Sequence, residues 1–235
     1  MGRNAMNMDV WNNNCKKYNY TGFGNYPALI WFVGIEFRGG ASGDDNWDGY
    51  EEGEVVYPIP SQQIREESRG KDKTLIYTYM SRIMWHWSDK KETHIEYRDK
   101  QLLQPGDNSY FTNMYLFARP DAQANITPFM RQLGFKDKDD YFESLRTHRF
   151  PMLRSAWNRH RPKCTVCFVG KKLRHDFCSL FDLNPATDYN PIANGRVEYY
   201  PEQGLFLTPI FGHGLDMEKV IDPLAKVIDE ITKRT

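Results

Sequence analysis

Two hundred and thirty-five residues, 40% of them hydrophobic and 26% charged, describe one globular domain spanning residues 1–235 and exclude collagen, coiled coil and wholesale disorder. The 31 basic and 31 acidic residues cancel, so any attraction to nucleic acid has to be local. The longest apolar run, Pro27 to Ile35, is nine residues, far short of the roughly 20 of a membrane-spanning helix, and the N-terminal MGRNAMNMDVWNNN lacks an apolar signal core, so the reading is a soluble, cytoplasmic monomer with no membrane partner.

In chain order, Ala28–Gly34 is the first compact apolar run and reads as a fully buried strand. Gln62 to Trp87 carries two helical pieces around Gly70. Tyr110–Ala118 reads as the second strand, Asp139 to Trp157 as a helix and Thr165–Gly170 as the third strand. Leu173, Phe177, Leu180 and Phe181 repeat at helical spacing, and Leu205–Pro209 reads as the fourth strand. The last helix carries Val220, Ile221, Leu224, Val227, Ile228 and Ile231 as one stripe, with Asp222-Pro223 as N-cap and first-turn pair. Strands separated by helices pair in parallel. The expected fold is therefore α/β, a single domain with a four-stranded, mostly parallel central sheet flanked by helices.

Such a sheet binds its ligand beyond the carboxyl ends of its strands. The residues there are Gly34-Ile35-Glu36-Phe37-Arg38-Gly39-Gly40, then Arg119-Pro120 after a second strand that carries Thr112-Asn113 within its run. Val169-Gly170-Lys171-Lys172 and Phe211-Gly212-His213-Gly214 follow strands three and four. The four junctions, in this order over about residues 28 to 214, resemble the motifs of the uracil-DNA glycosylase superfamily. The resemblance implies a four-stranded parallel sheet and hydrolysis of a base from DNA after it has been flipped out of the stack.

Breaking an N-glycosidic bond develops cationic character on the sugar and negative charge on the departing base. It calls for a carboxylate on one side and a hydrogen-bond donor on the other. On the resemblance, Glu36 and His213 fill these catalytic roles. Asn113 reads the base edge through its amide, and Gly34, Ile35 and Phe37 line the base site. Trp47, Tyr50 and Tyr57 are further aromatics for stacking. The bland alternatives are a helix-capping carboxylate for Glu36, an unliganded loop histidine for His213 and a strand-bridging amide for Asn113.

Two departures from the family pattern bear on substrate. Its uracil-specific members follow the acid with Pro and then Tyr, whose ring rejects a C5 substituent, whereas here Glu36 precedes Phe37-Arg38 and the small residues Gly39 to Gly43. That opens a pocket for a C5 substituent lined by Arg38, Gly39, Gly40, Asp44 and Asp45, with Asn46 nearby. It gives a resemblance to prokaryotic antiviral glycosylases acting on glucosylated hydroxymethylcytosine in phage DNA. His213 is followed by Gly214-Leu215-Asp216 in place of Pro-Ser, leaving Leu215 or Met217 as an apolar wedge for the vacated stack. DNA, the expected partner, is gripped by Lys171, Lys172, Arg174, Gly214 and Leu215. These belong to or follow the stretch Arg159 to His175, which has six Lys or Arg and no acid, whereas Asp44 to Glu54 has six acids and no base.

No P-loop, GxGxxG or GxSxG appears, and no cofactor is expected. Cys164-Thr165-Val166-Cys167 has the spacing of half a metal site, but on a buried strand residues three apart point to opposite faces, so reduced structural thiols are expected at Cys15, Cys164, Cys167 and Cys178. Uracil repair, a non-catalytic nucleic-acid-binding module and an unrelated nucleoside or nucleotide hydrolase are the competing functions.

Overall fold

The apolar run after Pro27 alternates its side chains between two buried layers, which is why it carries almost no polar residue. The computed structural model describes residues 20–25, 27–35, 55–57, 64, 75–88, 91–115, 135–186, 188–212 and 214–233. Within it, strand β2 (Ile30–Gly34) is buried along its whole length. Ile30 and Phe32 face one layer, whereas Val33 faces the other. A strand covered on both sides has to be apolar at every position.

Strand β1 (Tyr20–Gly24), β3 (Val55–Tyr57), β4 (Ser109–Asn113), β5 (Cys164–Cys167), β6 (Asn190–Ile192), β7 (Val197–Tyr200) and β8 (Leu205–Leu207) complete the sheet. Among the described residues it has eight strands in the order β3-β1-β4-β2-β5-β8-β7-β6. The expectation of four mostly parallel strands is corrected to this mixed sheet. Its middle is the four sequence-legible strands β4, β2, β5 and β8, all parallel. β1 pairs antiparallel with β4, and β7 pairs antiparallel with both β6 and β8.

The strands also end earlier than the apolar runs do. Phe168 and Val169 stay buried beyond β5, so burial extends the apolar run past the last ladder pair.

Helices cover both faces. Helix α1 (Ile76–Trp87), α2 (His94–Lys100) and α6 (Asp222–Lys233) lie on the Phe32 side, and α3 (Lys138–Ser144), α4 (Phe150–His160) and α5 (Arg174–Phe181) on the Val33 side. Cys164 packs on the first side and Cys167 on the second, so the two thiols cannot chelate one ion. Burial pushes the Cys164 thiol up to about 12 and that of Cys167 well above its ordinary value, which keeps both protonated. No helix among the described residues is long and apolar enough to cross a membrane.

Two helical stretches contain a π turn, Leu145–Arg149 before α4 and Met217–Ile221 before α6. Each is followed two residues later by a proline, Pro151 and Pro223. A proline has no N–H to give the carbonyl four residues back and crowds it, and a widened turn relieves that clash. The C-terminal helical stretch therefore begins at Met217, and its cap is Asp216, whose carboxylate accepts from the Lys219 N–H at 3.0 Å. The expected cap, Asp222, lies inside the helical stretch. Its carboxylate accepts from Arg82 Nε and Nη2 at 2.8 and 3.0 Å and lies 3.3 Å from His86, fastening α1 to α6.

The Arg82 hydrogen bonds hold the Asp222 carboxyl below its ordinary value. A depressed carboxyl stabilises the fold fully above the unfolded value of about 3.9, and the contribution fades as pH falls through the lower folded value. Asp222→Asn should cost about 1 kcal/mol in urea unfolding at pH 7, and the gap to wild type should close as the solution is acidified below pH 4. A pH-independent gap would mean that the charge contributes nothing.

Candidate functional site

Four parallel strands deliver Gly34, Asn113, Cys167 and Leu207 to one edge of the sheet. Because β7 runs against β8, the β6–β7 turn at residues 193–196 stands at that edge as well. Gly34 and Asn113 are register partners. The Asn113 side chain is 1% exposed, and neither its Nδ2 nor its Oδ1 has a hydrogen-bond partner. A buried amide left in that state costs on the order of 1–3 kcal/mol, which a core position has no reason to carry.

Its surroundings are shaped to hold it there. A Cβ built on Gly34 would stand 2.3 Å from Asn113 Oδ1 and 3.0 Å from the Phe168 ring, so glycine is what lets the amide and that ring meet. Phe168 stacks on Phe211 at 4.5 Å and 7°, and Tyr79 of α1 leans on Phe211 at 5.5 Å. The Tyr79 hydroxyl lies within hydrogen-bond reach of the Gly212 and Leu215 carbonyls, at 3.2 and 3.1 Å, and spans the loop that contains position 213. Gly214 takes a φ of +83° there, with open space where a Cβ would be.

On the other side, the carbonyls at the end of β4 are held by Arg149 of the first π turn. Its guanidinium, 1% exposed, donates from Nη2 to Asn113 O at 2.7 Å and from Nε to Met114 O at 3.1 Å. The amides of the same segment bond to β2 and its continuation, Met114 N to Gly34 O at 2.9 Å and Tyr115 N to Ile35 O at 2.8 Å. Tyr115 then donates its hydroxyl to buried Asp176 at 2.6 Å, and Asp176 also accepts from Arg146 Nε at 2.6 Å.

The basic residues after β5 are less available than their sequence suggests. Arg174 donates to Glu198 at 2.9 Å and to the Tyr200 hydroxyl at 3.0 Å, and the Glu198 bond raises its already high pKa. Lys171 bonds Gly195 O at 3.0 Å and lies 3.8 Å from Glu198, which is itself buried. Lys172 is exposed, as is Arg196 on the β6–β7 turn. Leu215 and Met217 both pack partly buried against the core, whereas Ile210, 55% exposed, lies beside Gly170 at the strand-end edge.

The structure thus brings together Gly34, Ile35 and Asn113 and places Lys171, Lys172, Arg174, Gly214 and Leu215 at the same end of the sheet. Glu36, Phe37, Arg38, Gly39, Gly40, Asp44, Asp45, Asn46, Trp47, Tyr50 and His213 lie outside the described residues. Sequence reasoning missed Arg149, Tyr79 and Glu198. Arg149 carries no local signal beyond Pro151 two residues on, and the Glu198 pairing is long-range. No family model matches the chain, and no curated protein is significantly similar to it.

If the Asn113 amide serves a ligand and not the fold, an apolar residue of similar size should be tolerated. Asn113→Leu is expected to unfold at equal or higher urea concentration than wild type, by up to about 1 kcal/mol. A marked loss of stability would show that the amide bonds within the protein.

Proposed function

We propose that the chain is a monofunctional DNA glycosylase that flips a C5-modified cytosine out of the duplex and hydrolyses its N-glycosidic bond. Glucosylated hydroxymethylcytosine of phage DNA is the proposed base and antiviral defence the setting. The observation that carries this reading is the buried, unpaired amide of Asn113 at the carboxyl edge of parallel strands. A carboxamide offers a donor pair and an acceptor, the complement of a pyrimidine edge, and a flipped base would satisfy both. The junction motifs that resemble the uracil-DNA glycosylase superfamily support the same assignment.

In this mechanism Glu36, two residues beyond Gly34, stabilises the cationic sugar and orients a water. The C1′–N bond breaks with its electron pair leaving on the base, the water oxygen bonds to C1′ and passes a proton to the Glu36 carboxylate, and the released base takes up a proton from solvent. His213 donates a hydrogen bond to the departing base as negative charge develops. The small residues from Gly39 to Gly43 leave room for the C5 substituent, and Arg38, Asp44 and Asp45 partner its hydroxyls. Lys172 supplies a free phosphate contact, and Lys171 and Arg174 join it on exchanging Glu198 for phosphate.

The test is alkali-labile abasic-site formation on matched duplexes carrying uracil, thymine, cytosine, hydroxymethylcytosine or its glucosylated form. The expected result is release of the glucosylated base, slowed by about 10² or more in Glu36→Gln with duplex affinity retained. Release of uracil alone would return the reading to repair, and binding without release to a non-catalytic module.

Ile210 is proposed as the side chain that fills the vacated stack, in place of the packed Leu215 and Met217. Ile210→Ala should slow release from duplex several-fold more than from a single strand, where no stack has to be filled. Equal slowing on both would remove it from that role.

A further inference from the structure

Two strand-end carbonyls aimed into a protein interior need donors, and at the end of β4 a single buried side chain supplies them. We infer that Arg149 is a positioning residue for base recognition, fixing the peptide segment from which the Asn113 amide projects. The inference rests on the glycosylase reading and deepens it, since Arg149 touches no substrate and acts through Asn113.

The geometry is specific to arginine. Nη2 and Nε reach carbonyls of consecutive residues, 113 and 114, at 2.7 and 3.1 Å. The guanidinium is planar, permanently charged and presents its donors in a fixed fork, so gripping both carbonyls sets the orientation of the peptide between them. The N–H groups of Met114 and Tyr115 are meanwhile bonded to Gly34 and Ile35. The segment is therefore held on its carbonyl side by the π turn that ends at Arg149 and on its amide side by the neighbouring strand and its continuation. The Asn113 side chain, with no bond of its own, depends on the backbone for its placement.

Arg149 reaches this point because it ends the π turn Leu145–Arg149, and the same turn carries Arg146, which meets Asp176 while Asp176 accepts from Tyr115. One irregular turn thus grips residues 113, 114 and 115. A carboxamide that must meet both the donor and the acceptor of a base edge tolerates little rotation, and a displacement of about 1 Å in such a group can cost on the order of 10²-fold in rate.

Arg149→Lys keeps the charge and loses the fork. On duplexes carrying glucosylated hydroxymethylcytosine or uracil, whichever the wild type cleaves, Arg149→Lys should slow single-turnover release by about 10²-fold while the duplex dissociation constant changes less than about threefold. The Asn113 side-chain amide resonances of the DNA-free variant should move from their wild-type positions, and Arg149→Met should be slower still. Release and amide resonances at wild-type values in Arg149→Lys would overturn the inference and leave the glycosylase reading intact. A wild type that releases no base would overturn the reading and this inference with it. Should Arg149→Lys not fold, wild-type protein with labelled arginines decides the matter. Its Arg149 Nε–H resonance should shift when the duplex binds, and a resonance that stays in place overturns the inference.

Discussion

A strand that stops inside a protein leaves its last carbonyls without a ladder, and the interior supplies no water to replace it. Arg149 answers that requirement at the end of β4, and the edge of the sheet is organised around the answer. β4 ends beside Gly34 with its last carbonyls satisfied from the helical side. The missing Cβ of Gly34 then leaves the space that the Asn113 amide occupies, and the Phe168–Phe211 stack closes that space from β5 and the loop after β8.

Charge is managed differently on the two sides of this edge. Arg149 is almost wholly buried and gives Nε and Nη2 to backbone carbonyls. At Arg174 and Lys171 the cations lean on one buried carboxylate, Glu198, with the Tyr200 hydroxyl also accepting from Arg174 and donating to Glu198 at 2.8 Å. A surface arranged that way is held in place by its own buried carboxylate.

The four central strands were legible because burial on both faces leaves an unbroken apolar run, as in Ile30-Trp31-Phe32-Val33. The outer strands were not. Asn190-Pro191-Ile192 buries only Ile192 in part and carries a proline, and Tyr20–Gly24 includes two glycines, so neither shows the alternation that marks a strand. Helix α2 did have a signal that went unread, the capping box of Thr93 and Glu96. Asn113 was legible as a polar residue within an apolar run, but that its amide lacks a partner is a property of packing. Tyr79, Arg149 and Glu198 act on residues 24 to 136 positions away, and no local pattern encodes such pairings.

The two π turns each add one residue to a helix that would otherwise run at 3.6 residues per turn. One extra residue advances everything after it by about 100° around the axis. The apolar stripe of α4 therefore starts in a new phase and need not continue the face that α3 presents before the turn. Deleting one residue from the Leu145–Arg149 turn would rotate the face of α3 by about 100° relative to the apolar stripe of α4 while leaving the length of that stripe untouched.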